Sequence, residues 1–180
     1  MRVIAGKYKG RKLFFPKSNN IRPTEDRIKE AIFSIVNDKI NGSICLDLFS
    51  GSGQIAIELF SRGAKFVYLN DLSQDHLDTI YENIKLVGEE KNSKISRKDY
   101  PKAIKTFKEE SLDIIYLDPP FDFNYEHNVI KIIEDYKILK KGGIIILETN
   151  LKIMPEFNSL KATIHKTYSD INIYIFERFV

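Results

Sequence analysis

Along most of the chain, short apolar runs alternate with stretches whose apolar residues recur at helical spacing. Ile44–Leu48, Phe66–Asn70, Leu112–Leu117 and Ile144–Glu148 read as strands, with a weaker candidate near Lys94–Arg97. Between them Gln54–Arg62, Ser73–Val87 and Glu126–Tyr136 read as helices, with a short one after Pro101. Gly63 and Gly88 stand where helices stop, and Ser73 is a candidate N-cap, since its hydroxyl can take an unpaired first-turn N–H. Upstream, Ile28, Ala31, Ile32, Ile35 and Val36 form one stripe of a helix opened by Pro23 and Thr24; Asn41-Gly42 ends that connection. Apolar strands alternating with amphipathic helices predict a mostly parallel sheet covered on both faces. At the end the alternation breaks: Ile164–Tyr168 and Ile171–Phe179 flank Ser169-Asp170 and read as an antiparallel hairpin. Residues 1–22 hold two apolar patches, Val3-Ile4-Ala5 and Leu13-Phe14-Phe15, separated by Gly6 and Gly10, and read as a hairpin-like arm. The expectation is an α/β chain: an arm over 1–22, then a Rossmann-like domain over 23–180 whose sheet has seven strands.

The 180 residues suit one core. No apolar stretch approaches the roughly 20 residues that cross a bilayer, and no apolar run follows the charged start, so neither membrane span nor signal peptide is expected. A lone cysteine, Cys45, allows no internal disulfide and fits a reducing, cytoplasmic setting. Within Ile44-Cys45-Leu46 it reads as a buried, inert thiol. His76, His127 and His165 are scattered, so no metal is expected. Charge is more informative. Residues 1–29 carry nine basic side chains against two acidic ones, a local +7 in a chain of net +3, which leaves −4 for the rest. A basic head on a mildly acidic body points to a polyanion at one end, and Tyr8, Phe14 and Phe15 interleave there as candidate base-stacking rings. A solvated basic tail is the plain alternative.

Two motifs carry chemistry. Asp47-Leu48-Phe49-Ser50-Gly51-Ser52-Gly53 follows a strand and opens a helix, where glycines allow a tight turn and close backbone approach to a ligand. Asp71 ends the next strand, where a carboxylate can accept both hydroxyls of a ribose. Alone this is ambiguous: Gly51-x-Gly53-x-x-Ala56 with an acid 20 residues after Gly51 also fits a dinucleotide fingerprint. No Gly-Lys-Ser/Thr follows, so it is not a Walker loop.

The second motif, Asp118-Pro119-Pro120-Phe121, ends the strand Leu112–Leu117. Carboxyl ends of strands line the ligand crevice in an open α/β sheet, so Asp118 is expected beside the glycine loop. Two prolines stiffen the turn and offer carbonyls without competing N–H donors. Such a turn suits an exocyclic amine, whose lone pair is delocalised into its base. Asp118 can accept one N–H and the Pro119 carbonyl the other, leaving the lone pair aimed at a methyl donor, while Phe121 stacks on the base. A dehydrogenase has no use for this turn.

The two motifs together look like those of the class I amino-methyltransferases. The head, Arg2-Val3-Ile4-Ala5-Gly6-Lys7-Tyr8-Lys9-Gly10-Arg11 with Arg22-Pro23-Thr24-x-x-Arg27, resembles the bacterial RsmD family, guanine-N2 methyltransferases of 16S ribosomal RNA. The resemblance runs over nearly the whole chain. Most members carry Ala where this chain has Ser50, a change expected to be harmless, and usually Glu where Asp71 stands. The resemblance implies S-adenosyl-L-methionine as cofactor. Asp47, Ser50, Gly51 and Gly53 would hold its methionine portion, Asp71 its ribose, and Asp99 and Tyr100 its adenine. It implies catalytic roles for Asp118, Pro119 and Phe121. Lys7, Lys9, Arg11, Lys12, Arg22, Thr24 and Arg27 would meet RNA. Glu148 also faces the crevice and is assigned a structural role.

The implied activity is methyl transfer to guanine N2 of 16S ribosomal RNA within the small subunit or its precursor, by a cytoplasmic monomer. Two rivals remain. DNA adenine-N6 or cytosine-N4 methyltransferases share the proline turn, but usually need a separate target-recognition domain. A non-catalytic RNA-binding assembly factor could keep the fold, although the intact turn speaks against it.

Overall fold

The computed structural model describes residues 1–17, 24–120, 125–152 and 154–180. In chain order they form α1 (Asp26–Ile40), β1 (Ile44–Asp47), α2 (Gln54–Ser61), β2 (Phe66–Asn70), α3 (Gln74–Val87), β3 (Ser93–Ser96), α4 (Tyr100–Ile104), β4 (Leu112–Leu117), α5 (Tyr125–Asp135), β5 (Leu139–Thr149), β6 (Leu160–Tyr168) and β7 (Ile171–Arg178). Seven strands make one sheet in the order β3-β2-β1-β4-β5-β7-β6. The first five are parallel, and β7 runs antiparallel to both β5 and β6, as the sequence predicts. The winding reverses between β1 and β4, which opens a crevice at their carboxyl ends.

Alternate strand residues feed two cores. Cys45, Ile114, Tyr116, Ile144 and Ile146 face α1, α2 and α3, whereas Leu46, Ile115, Leu117, Ile145 and Leu147 face α4 and α5. Burial pushes the Cys45 thiol up to about 12, in keeping with an inert side chain. Helix ends follow the expected chemistry at α3: the Ser73 hydroxyl accepts the His76 N–H, and Gly88 closes the helix at φ +75°. Three boundaries differ from the pattern. The strand expected from Ile144 starts at Leu139, because Leu139 pairs with Leu112 ahead of a register shift. The polar and glycine residues between hide this extension from any reading by hydrophobicity. The strand expected from Ile164 likewise starts at Leu160, with a shift between Ala162 and Ile164. The first helix begins at Asp26, with Glu25 at the N-cap position but its side chain not capping the helix, and Thr24 is turned elsewhere.

The first residues close a hairpin that packs on the body. The Val3 N–H donates to the Arg11 carbonyl at 3.0 Å, and the Gly10 N–H to the Val3 carbonyl at 2.9 Å. Val3 and Leu13 are buried in the first core, while Lys9, Arg11 and Lys12 stay exposed. Gly6, at φ +83°, lies against α2, and a Cβ there would fall 1.9 Å from the Ser61 carbonyl oxygen. The docking is polar as well. Glu58, fully buried in α2, accepts the N–H groups of Ile4 at 2.9 Å and Ala5 at 3.1 Å and pairs with Arg62 at 3.0 Å. The proposed boundary between residues 22 and 23 lies outside the described residues.

Glu58→Ala should therefore destabilise the protein by roughly 3–5 kcal/mol, because it orphans two backbone donors and a nearly buried guanidinium. Urea unfolding checks this; a loss under 1 kcal/mol would mean that water replaces the carboxylate freely.

Candidate active site

At the carboxyl ends of the central strands lies a cleft of about 470 Å³. Asp47, Ser50, Gly51 and Asp71 line it on one side, Asp118 and Pro119 on the other, with Thr24, Asp99 and Tyr100 also in its wall. Gly53 sits just behind, buried, at the first turn of α2. Phe121 and Arg22 fall outside the described residues. Lys7, Lys9, Arg11 and Lys12 lie on the docked hairpin and Arg27 on the exposed side of α1.

The glycine loop is tied by hydrogen bonds. The Ser50 hydroxyl donates to the Asp47 carbonyl at 2.7 Å and accepts the Asn70 N–H at 3.1 Å, bridging the tips of β1 and β2. An alanine could not do this, so Ser50 is a built part of the turn. Gly51 donates its N–H to Asp71 Oδ2 at 2.9 Å, and Asp71 Oδ1 faces the Ser73 N–H at 2.9 Å and His76 Nδ1 at 3.0 Å. Asp71 is thereby clamped at the strand tip. Asn70, which the sequence reading passed over, donates to the Lys98 carbonyl at 2.8 Å and accepts the Lys98 N–H at 3.1 Å. Those bonds set Asp99 and Tyr100 into the wall. The Tyr100 hydroxyl accepts from Asn128 at 2.9 Å, and its ring packs beside Phe49 and Tyr125. His76 and Asn70 lacked any motif signal; the only hint was polar residues bordering a strand end.

The floor of the cleft is acidic and largely buried. Parallel register pairs Asp47 with Tyr116, so both project to the α1–α3 side. Asp47 is 1% exposed, and its Oδ2 has no hydrogen-bond partner. Burial, and next the charge of Asp71, push its carboxyl up to about 7. Asp118 is pushed well above the carboxylate range by burial and then by Glu148 and Asp47. Glu148 is raised by burial and held back by two hydroxyls. Its Oε1 accepts from Thr24 at 3.0 Å and from Tyr116. Thr24, expected to meet phosphate, is thus buried with its hydroxyl turned inward. Among the described residues no group of acids, histidines and cysteines suited to a metal is present.

A family model described as conserved hypothetical protein 95 matches residues 1–177. The ribosomal RNA small subunit methyltransferase D of Buchnera aphidicola is 35% identical over 83% of this chain and 78% of its own length, and that of Haemophilus influenzae 33% over the same shares. The chain belongs to the RsmD family. Another relative, from Bacillus subtilis and provisionally named an rRNA methyltransferase, is 31% identical over 99% of both chains. RsmD-like architecture extends to solved structures. One from Escherichia coli, provisionally a methyltransferase, superposes with a TM-score of 0.89 at 24% identity over 99% of this chain and 98% of that one. Another from Haemophilus influenzae, provisionally a methylase, gives 0.83 at 27% over the same shares. The fold is therefore the class I methyltransferase fold.

The raised Asp47 carboxyl makes the stability of this RsmD-family chain depend on pH. Unfolded, Asp47 ionises near 3.8, and in the fold near 7. Between those values the folded state keeps a proton that the unfolded chain has lost, so stability falls as pH rises through the window. Asp47→Asn should remove that slope, making the ligand-free variant more stable than the parent near pH 8 by up to about 4 kcal/mol, with the two converging near pH 4. Urea unfolding at both pH values measures it; equal stability near pH 8 would refute the strain.

Proposed function

We propose that this chain transfers a methyl group from S-adenosyl-L-methionine to the exocyclic N2 amine of a guanine in 16S ribosomal RNA, within the small ribosomal subunit or its precursor. The observation that carries the reading is the Asp118-Pro119-Pro120 turn opening into the same cleft as the glycine loop and Asp71. The names of the relatives support the RNA class, and the family resemblance supports the guanine amine.

The cleft suits the cofactor. A buried carboxylate oxygen without a partner, Asp47 Oδ2, fits the ammonium of a methionine moiety, which would also relieve the charge strain described above. Asp71, clamped by Gly51 and Ser73, keeps lone pairs for a ribose, and the Tyr100 and Phe49 rings offer an apolar wall for a purine. When bound, the cofactor supplies a methyl group on a sulfonium sulfur. The chain's own work is to bind and orient the amine. Asp118 and the Pro119 carbonyl accept its two N–H groups, which turns the nitrogen lone pair toward the methyl. Asp118 does this as an anion, so the turn works only once its proton has left. The exposed Lys9, Arg11 and Lys12, with Lys7 beside them, form the proposed grip on RNA phosphate.

Calorimetric titration separates the two walls. Asp71→Ala should weaken cofactor binding by about 1.5–3 kcal/mol, the scale of hydrogen bonds to a charged group. Asp118→Ala should bind cofactor almost normally yet lose nearly all turnover. Near-normal turnover in Asp118→Ala would sink the catalytic assignment, and tight binding of a nicotinamide dinucleotide in place of the methyl donor would move the chain to another enzyme class.

Replacing Lys7, Lys9, Arg11 and Lys12 by Ala should weaken RNA binding and flatten its salt dependence, by about 0.7–0.9 in log–log slope per lost phosphate contact. An unchanged slope in filter binding across salt concentrations would return these residues to a solvated surface.

A further inference from the structure

Glu148 is the penultimate residue of β5, beside the proline turn. Register pairs Tyr116 with Ile146 and Leu117 with Leu147, so one step further Asp118 and Glu148 leave adjacent strand ends toward the same face. Glu148 is 3% exposed, and one of its oxygens receives both the Thr24 and the Tyr116 hydroxyls. Two O–H donors on a single oxygen suit a carboxylate that keeps its charge. Asp118 has no such support: no side chain among the described residues donates to it.

We propose that Glu148 is a positioning residue for the methyl transfer, its charge anchored by Tyr116 and Thr24 so as to strengthen Asp118 as acceptor of the proton that the amine must lose. The proposal rests on the function proposed above. In that step the amine nitrogen bonds to the methyl carbon, and the carbon–sulfur bond breaks with its electron pair passing to sulfur. One N–H proton then passes to the Asp118 carboxylate, leaving a neutral secondary amine and a neutral Asp118. A negative charge next to Asp118, itself half-buried, raises its affinity for that proton, and desolvation acts in the same direction. The groups that face Glu148 are Tyr116 from β4, Asp118 just past the end of β4, Asp47 from β1, Thr24 ahead of α1 and the apolar Ile173 from β7. Among the described residues no basic side chain bonds to Asp118 or Glu148. Asp47 adds to the field, so the acids titrate as a set and an apparent midpoint belongs to the group.

Glu148→Gln keeps the shape and an acceptor for both hydroxyls while removing the charge. In single-turnover methylation followed over the pH range in which the protein stays folded, the acid limb of the rate should move down by about one to three pH units. The plateau should fall several-fold and cofactor affinity should stay unchanged. Tyr116→Phe should move the limb the same way by less, because it loosens the hold on the charge. An acid limb that stays in place in Glu148→Gln overturns the proposal, whatever the rate. The carbon-13 carboxyl resonance of Asp118 reads the same effect without turnover, and its midpoint should drop in the variant. If the parent protein methylates no base amine while that midpoint still drops, the proposed function fails and the link between the two acids stands. An unmoved midpoint overturns the link itself.

Discussion

Parallel pairing of β1, β4 and β5 is the constraint from which the site follows. Partners in parallel register point to the same side of a sheet, so the column Cys45, Ile114, Ile144, Tyr116 and Ile146 builds one apolar face. Where the strands run out, Asp47, Asp118 and Glu148 continue that face toward the crevice. A register slip of one residue in β5 would turn Glu148 into the opposite core and expose the sheet edge to the wrong helices. The apolar column below fixes the register, and thereby fixes where three acids meet. Two buried carboxyl groups, Asp47 and Glu148, beside a half-buried third, Asp118, disfavour folding, a cost offset by the aliphatic residues beneath them, each worth about 1.5–3 kcal/mol when fully buried. The strain stored there is what a cationic ligand and a hydrogen-bonding amine can relieve.

The basic hairpin is fastened to the same machinery. Asn83 of α3 donates to the carbonyls of Phe14 at 3.1 Å and Ser52 at 2.9 Å, joining the end of the hairpin to the glycine loop. The Ser52 hydroxyl reaches Met1 Sδ at 3.2 Å, and the Lys17 N–H reaches Asp75 Oδ1 at 3.2 Å. A polyanion held by Lys9, Arg11 and Lys12 would therefore sit on a support continuous with the glycine loop. Not every base in the head is available to it. Arg2 and Lys29 both pair with Asp26, and Lys29, 1% exposed, donates to the Arg2 carbonyl at 2.8 Å.

What could be read from the sequence was whatever is local or periodic. Strand and helix alternation, the Ser73 cap and the Gly88 stop all depend on residues within a turn of each other. The Asp47 to Gly53 loop and the Asp118 turn are also local, and the fold then brings them into one cleft. The parts that escaped depend on contacts far apart in the chain. Thr24 and Glu148 are separated by 124 positions, and nothing near either residue announces their bond. Glu58 reads as one acid in an amphipathic helix, although it anchors the hairpin. Counting charges placed Lys29 in a polyanion-binding head, whereas the fold buries it. Ser50 looked like a neutral replacement for alanine because a bridge between two strand tips is invisible until the strands are paired.

The proposed reaction, methylation of a guanine amine of small-subunit RNA at the acidic turn beside the glycine loop, leaves a mark that can be read in the cell. Mass-spectrometric mapping of methylated guanines in 16S RNA, from cells with and without the protein, tests it most directly. One N2-methylguanine should disappear without the protein and return with the intact chain but not with Asp118→Ala. An identical methylation map in both cells would contradict it.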